Sequence, residues 1–248
     1  MLLCIIAACV MQGQNSLSIG LGVGGSTVGA YQREATLMSQ AWGWWESDTL
    51  ITKDVSNLIT NWGDITGNGH DLKQPGVDIE KPTWTSDGIV FSAAPEHLET
   101  DNYPLLVQPV TRFIVLKITT HTTNCVVIGG YNDDVVTYCF VNTSDATNRK
   151  TVYAGAGGFN LSEGGIGTWL LYTNIMNGIS SSLQLNDNTP ATGNTGTGGP
   201  SGITIGGRKS GANVLPCIIK AVLLFDKVLS PSEITVIKSY LNEKYSIY

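Results

Sequence analysis

From residue 42 onward the chain is broken at short intervals by Gly, Asn, Asp or Pro, and this spacing constrains the fold more than any other feature. The runs between the breaks are apolar, or alternate apolar and polar residues at the strand period of two. They fall at 88–91, 112–119, 125–129, 135–141, 151–154, 169–175, 181–185, 202–205 and 217–225. Nine runs joined by hairpin-length connections predict an all-β chain of two antiparallel sheets packed face to face. The longest polar connection, 186–201, has no apolar residue larger than alanine and is expected to be a surface loop. Helical signals are clear in one place. Ser230, Pro231 and Glu233 supply an N-cap, a first-turn proline and the third-position glutamate of a capping box. Ile234, Ile237 and Leu241 then recur at i, i+3 and i+7, which predicts a C-terminal helix docked on the sandwich by one apolar stripe.

Composition agrees. The 248 residues include 29 glycines, 42% apolar residues and only 14% charged ones, enough for a core and too apolar for disorder. The net charge is −6 and the longest basic runs are the pairs Arg149-Lys150 and Arg208-Lys209, so phosphate backbones have no clustered partner and nucleic acid is excluded as the ligand. The five cysteines, Cys4, Cys9, Cys125, Cys139 and Cys217, form no CxxC pair, which leaves reduced thiols as the default. Cys125 and Cys139 sit symmetrically about a turn at Tyr131-Asn132-Asp133-Asp134, but directly opposed strand residues hold their Cβ atoms slightly too far apart for a relaxed disulfide.

Residues 1–41 read differently from the rest. The first 11 residues are apolar but far shorter than the ~20 a membrane-spanning helix needs. Ile6-Ala7-Ala8-Cys9 resembles a lipobox, though without a basic segment before it. Ile19, Leu21 and Val23 then alternate with glycine, one face apolar and the other bare backbone, as in a strand that lets a neighbouring subunit approach closely. This segment is expected to be an extended anchoring arm, and 42–248 the folded domain. Gly20, Gly22 and Gly25 satisfy GxGxxG, but the chain beyond lacks the βαβ unit a dinucleotide site requires.

Several blocks carry a family resemblance. Trp62-Gly63-Asp64-Ile65-Thr66-Gly67-Asn68-Gly69-His70-Asp71-Leu72 resembles the W-x-D-x-S-G-N-G-x-D-L segment of the concanavalin A-like lectin/glucanase superfamily in its laminin-G-like form. In the family's order there follow Pro82-Thr83-Trp84 to Val90-Phe91, the Ile203 to Arg208 block of L-x-I-G-G-R type, and the close from Ala221 through Ser230 to Tyr245, with Trp44 to Asp48 as the opening aromatic strand. The resemblance implies a jelly-roll sandwich over 42–248. Within it Trp62 is expected in the core, with Asp64 and Asn68 building a turn through side-chain bonds to backbone.

Retaining glycosidases of the superfamily use E-x-D-x-x-E, two of whose carboxylates act as nucleophile and acid. Glu46-x-Asp48 and Glu99-x-Asp101 begin this pattern, but Ile51 and Pro104 stand where the third carboxylate belongs. The histidines are isolated and no G-x-S-x-G elbow occurs, so no enzymatic activity is expected. The binding alternative needs an aromatic face beside amides or carboxylates. The candidates are Tyr131, Asn132, Asp133 and Asp134 at a hairpin tip, together with Trp84; Asp133 and Asp134 also offer oxygens to calcium. Such a sandwich behind an anchoring arm resembles surface proteins of tailed bacteriophages. The expected role is a non-enzymatic virion-surface or surface-assembly protein, homo-oligomeric in the assembly, that docks through Ile19, Leu21 and Val23 and binds host polysaccharide. The alternative is a secreted or lipid-anchored bacterial carbohydrate-binding protein.

Overall fold

The computed structural model describes residues 35–104, 106–120, 125–131, 138–142, 149–155, 158–162 and 165–248. In chain order the first strands are β1 (Gly43–Glu46), β2 (Ile51–Lys53), β3 (Ile59–Trp62), β4 (Leu72–Lys73), β5 (Thr83–Thr85), β6 (Gly88–Phe91) and β7 (Leu98–Glu99). Then come β8 (Val110–Ile118), β9 (Cys125–Gly130), β10 (Tyr138–Asn142), β11 (Arg149–Tyr153) and β12 (Phe159–Ser162). The last are β13 (Trp169–Met176), β14 (Ser181–Leu185), β15 (Ala191–Gly193), β16 (Ile203–Ile205) and β17 (Cys217–Phe225), followed by the helix α1 (Pro231–Tyr245). Eight strands form one sheet in the order β15-β14-β13-β8-β17-β6-β5, with β1 paired to the far half of β17. Nine form the other, β12-β11-β10-β9-β16-β7-β4-β3-β2, and among the described residues the strands of both sheets pair antiparallel. The chain is a two-sheet sandwich, as the spacing predicts.

The runs that read as continuously apolar do so because both of their faces are covered. Along β8, Ile114, Leu116 and Ile118 enter the core between the sheets, while Phe113 and Val115 enter a second apolar layer on the outside of the eight-stranded sheet. Leu170 and Leu171 of β13, and Val222 and Leu223 of β17, divide the same way. Helix α1 roofs the outer layer with Ile237 and Leu241, both without exposure, and residues 35–41 add Leu37, Met38 and Ala41. The capping box forms as predicted: Glu233 N–H donates to the Ser230 hydroxyl and Ser230 N–H to the Glu233 carboxylate. A charged brace completes the roof. Buried Glu46 accepts from Tyr240 Oη at 2.7 Å and from Lys244 Nζ at 2.6 Å, and Lys244 also reaches Asp48 at 3.1 Å. The Glu46-x-Asp48 pair singled out as half of a glycosidase motif is thus a tie between β1 and the helix.

Three expectations need correction. The 186–201 connection is not simply a surface loop: Ala191–Gly193 pairs with β14 as an edge strand, and Thr195 beyond it is fully buried, its hydroxyl 2.8 Å from that of Ser181. Small polar side chains conceal such a strand, because its stability comes from ladder hydrogen bonds and not from an apolar face. Cys125 and Cys139 lie on paired strands, but a register shift in that pair sets Cys125 opposite Val141 and Cys139 opposite Ile128. Finally, β4, β7 and β16 are two or three residues long and the first two gave no periodic signal, yet they form the middle of the nine-stranded sheet.

Candidate functional site

The turn after β3 is held by one carboxylate. Asp64, whose side chain has no exposure, accepts from Trp44 N–H at 3.1 Å, Thr66 N–H at 3.0 Å, Thr66 Oγ1 at 2.7 Å and His70 N–H at 3.2 Å. Asn68 Nδ2 donates to the carbonyls of Ala41 and Trp42. Trp62 is in the core and gives its indole N–H to Glu46 O. These are the fold-holding roles expected from the sequence. Their by-product is an aromatic group: the turn lays the His70 ring against Trp42, centroids 3.8 Å apart and nearly parallel, and Tyr103 meets both edge-on while donating its hydroxyl to Gly69 O at 2.7 Å.

Beside this group runs a polar row. The register Thr52↔Asn61↔Lys73↔Glu99↔Thr204↔Gly129 crosses six strands of the nine-stranded sheet, and the neighbours Ile51, Trp62, Leu72, Leu98, Ile205 and Ile128 all belong to the inner core. Alternation therefore turns the row outward. Lys73 pairs with Asp101 at 2.9 Å, and the hydrogen bond to that carboxylate raises the lysine above its ordinary pKa. Lys209, from the loop after β16, folds over the other end: its Nζ lies 3.4 Å from the Tyr131 ring centroid and 3.0 Å from both Glu99 oxygens. Burial opposes its charge, but Tyr131 and Glu99 outweigh that and hold the pKa up. Under it, Thr204 is fully buried and its hydroxyl has no hydrogen-bond partner. An unpaired buried hydroxyl costs on the order of 1–3 kcal/mol.

Two glycines allow this crowding. Gly202 has φ +110°, and a Cβ there would lie 2.5 Å from Asp101 O and 3.2 Å from Tyr131 Cβ; Gly206, φ +82°, packs against the Phe91 ring where a Cβ would come within 2.1 Å. The L-x-I-G-G-R-like block thus brings β16 and Tyr131 against the end of β7.

Of the residues the sequence singled out, Tyr131 stands in this row, while Asn132, Asp133 and Asp134 lie outside the described residues, as do the arm residues Ile19, Leu21 and Val23. Trp84 is not part of the row. It lies on β5 in the other sheet, packs on the inner core, donates its N–H to Ser47 O at 2.8 Å and has Lys53 Nζ 3.8 Å over its ring. Among the described residues no group of three His, Cys, Asp or Glu is placed to hold a metal ion. The sequence reading missed Glu99, Lys209 and Thr204 as a unit, because Glu99 and Lys209 are 110 residues apart; the GGR-K run after β16 was the one available signal.

The sequence matches no protein-family model and no curated protein. The fold is similar to solved structures. Trypanosoma rangeli sialidase in complex with sialic acid superposes with a TM-score of 0.60 at 14% identity, over 88% of this chain and 38% of that one. The botulinum neurotoxin serotype D ligand binding domain in complex with N-acetylneuraminic acid gives 0.58 at 11% identity, over 84% of this chain and 52% of that one. The receptor binding domain of the mosaic serotype C/D toxin gives 0.54 at 10% identity, over 82% and 51%. The chain thus spans well under two thirds of each, and at these identities the likeness is one of fold: a β-sandwich of the jelly-roll kind.

Proposed function

We propose that the domain is a non-catalytic carbohydrate-binding module, displayed on a virion surface or comparable surface assembly through the N-terminal segment that carries Ile19, Leu21 and Val23. The observation that carries the reading is the outward row of the nine-stranded sheet. It combines what sugar recognition requires: aromatic rings beside it, Tyr103 of the Trp42–His70 group near Lys73 and Asp101 and Tyr131 toward the β9 end, together with carboxylate, ammonium, amide and hydroxyl groups. Thr204 supplies an unused hydroxyl beside them. The fold shared with a sialidase and with toxin ligand-binding domains supports the reading, since structures of both kinds hold sialic acid. Catalysis is not part of the proposal. The carboxylates of the two partial E-x-D motifs are engaged in ion pairs, Glu46 and Asp48 with Lys244, Glu99 with Lys209 and Asp101 with Lys73.

The test is a broad glycan array, run with and without calcium, on the full-length protein and on Tyr131→Ala and Glu99→Gln. The expected result is capture of a defined glycan set that both variants lose while keeping the wild-type melting temperature to within a few degrees. Silence on all glycans, or capture unchanged in both variants, overturns the site. For the arm, deletion of residues 1–30 is expected to leave a folded sandwich that no longer incorporates into its assembly. An intact mass beginning at a lipid-modified Cys9 would replace the virion reading with a lipid-anchored bacterial one.

A further inference from the structure

A second surface, on the other sheet, is assigned by nothing above. On the outer side of the eight-stranded sheet the register Trp169↔Lys117↔Ile218 continues the strand faces that farther along carry Leu171, Val115 and Phe113. Here the roof of helix α1 gives out at Tyr245, and the three side chains Trp169, Lys117 and Lys220 are half-buried. The pairing of β17 with β8 shifts register between Ile219 and Ala221, so that Lys220 is an extra residue in the ladder. A bulge of this kind re-aims a side chain, and bulges gather at sites of function. Its effect is to bring Lys220 Nζ to 4.2 Å from the Trp169 ring centroid, where Lys117 Nζ already stands at 4.8 Å.

Two ammonium groups therefore converge on one indole. Neither has an acid within ion-pairing distance among the described residues, whereas Lys73, Lys81, Lys209, Lys227, Lys238 and Lys244 all do. Lys220 feels the arrangement: burial lowers its pKa, Asp87 opposes this from a distance, and Lys117 lowers it further. A cation over an indole is worth about 0.5–1 kcal/mol at exposed sites, but two cations over the same ring also repel each other. On a chain of net charge −6, an uncompensated positive spot beside an aromatic face is the complement of an anion that carries an apolar face of its own.

We propose that Lys117, Lys220 and Trp169 form a second binding site, for an anionic sugar whose carboxylate or sulfate lies between the two ammonium groups and whose ring lies along the indole. Two lysines are too few to track a phosphate backbone, which sets nucleic acid aside. The site is independent of the nine-stranded face, and its test is read at Trp169 alone.

The experiment follows the Trp169 indole N–H resonance of the full-length protein, assigned by Trp169→Phe, during titration with glucuronic acid, N-acetylneuraminic acid and glucose 6-sulfate. Glucose, glucuronic acid methyl ester and sodium acetate serve as controls. The expected result is a saturable shift with the acidic sugars, with affinity in the millimolar range typical of single sugars. It weakens at least tenfold in Lys117→Gln and in Lys220→Gln, falls as salt rises from 50 to 300 mM, and is unchanged in Lys81→Gln. A response to carboxylated but not sulfated sugars, or the reverse, narrows the ligand within the proposal. An equal response to glucose or to acetate, or one that both lysine variants leave intact, overturns it.

Discussion

The outer faces of the two sheets are used in opposite ways. On the eight-stranded sheet the outward side chains are Phe113, Val115, Leu171, Leu223 and Phe225, all buried beneath helix α1 and residues 35–41. On the nine-stranded sheet the equivalent positions are Thr52, Asn61, Lys73, Glu99 and Thr204, and opposite charges neutralise each other pairwise along the surface. The exposed Lys73–Asp101 pair adds little to stability, typically under about 1 kcal/mol. One face therefore holds the fold, and the other carries chemistry the fold does not need. The lysine pair at Trp169 belongs to the first sheet but lies where its roof ends, so it shares the second face's freedom.

If that contrast is right, substitutions of similar size must behave differently on the two sides. The largest effect is expected from Leu241→Ala, which opens a cavity under the roof and should cost about 3 kcal/mol in chemical denaturation; a cost below about 1 kcal/mol would mean the helix is not a structural lid. Lys244→Ala comes next, at about 2 kcal/mol, because it strips a charge partner from the buried carboxylate of Glu46. Lys73→Ala on the opposite face removes a lysine of comparable size and should change stability by less than about 1 kcal/mol. The smallest effect is that of Glu233→Ala at the start of the helix, roughly 0.5 kcal/mol. Hydrogen bonds from Ser230 hold the Glu233 pKa below its usual value, so its contribution is present above the unfolded-state pKa and is lost as pH falls through the folded one. Denaturation curves of wild type and variant should accordingly converge as pH drops below 4.5 and stay apart at neutrality.

The same contrast explains what the sequence disclosed. Strands β6, β14 and β17 and the capped helix are legible to the residue, because apolar period and capping chemistry are local. The Asp64 turn is legible too, since its hydrogen bonds run largely within residues 64–71. The candidate site is not. Its row is assembled from six strands, two of them only two residues long, and its members are ordinary polar residues whose meaning depends on register. Of that site Tyr131 gave a signal as an aromatic beside a turn, while Glu99 and Lys209 stood only in motifs read for other reasons. Trp84 gave the same signal and lies in the other sheet, packed on the inner core. An aromatic residue near a turn does not by itself report which sheet face it will join.

The pairing of β1 with β17, sealed by Glu46 and Lys244 across 198 positions of sequence, has a consequence for how the protein is made. While the ribosome is still synthesising the last strand, the nascent chain already contains β8 and β13 but neither the partner of β1 nor the helix that covers Phe113 and Leu171. Closure of so distant a contact is entropically slow, and until residue 245 has emerged an oily sheet face is open to its neighbours on the polysome. Messages truncated within the helix should therefore yield aggregates instead of shortened sandwiches, and a chaperone bound during translation would find its docking surface on that same face.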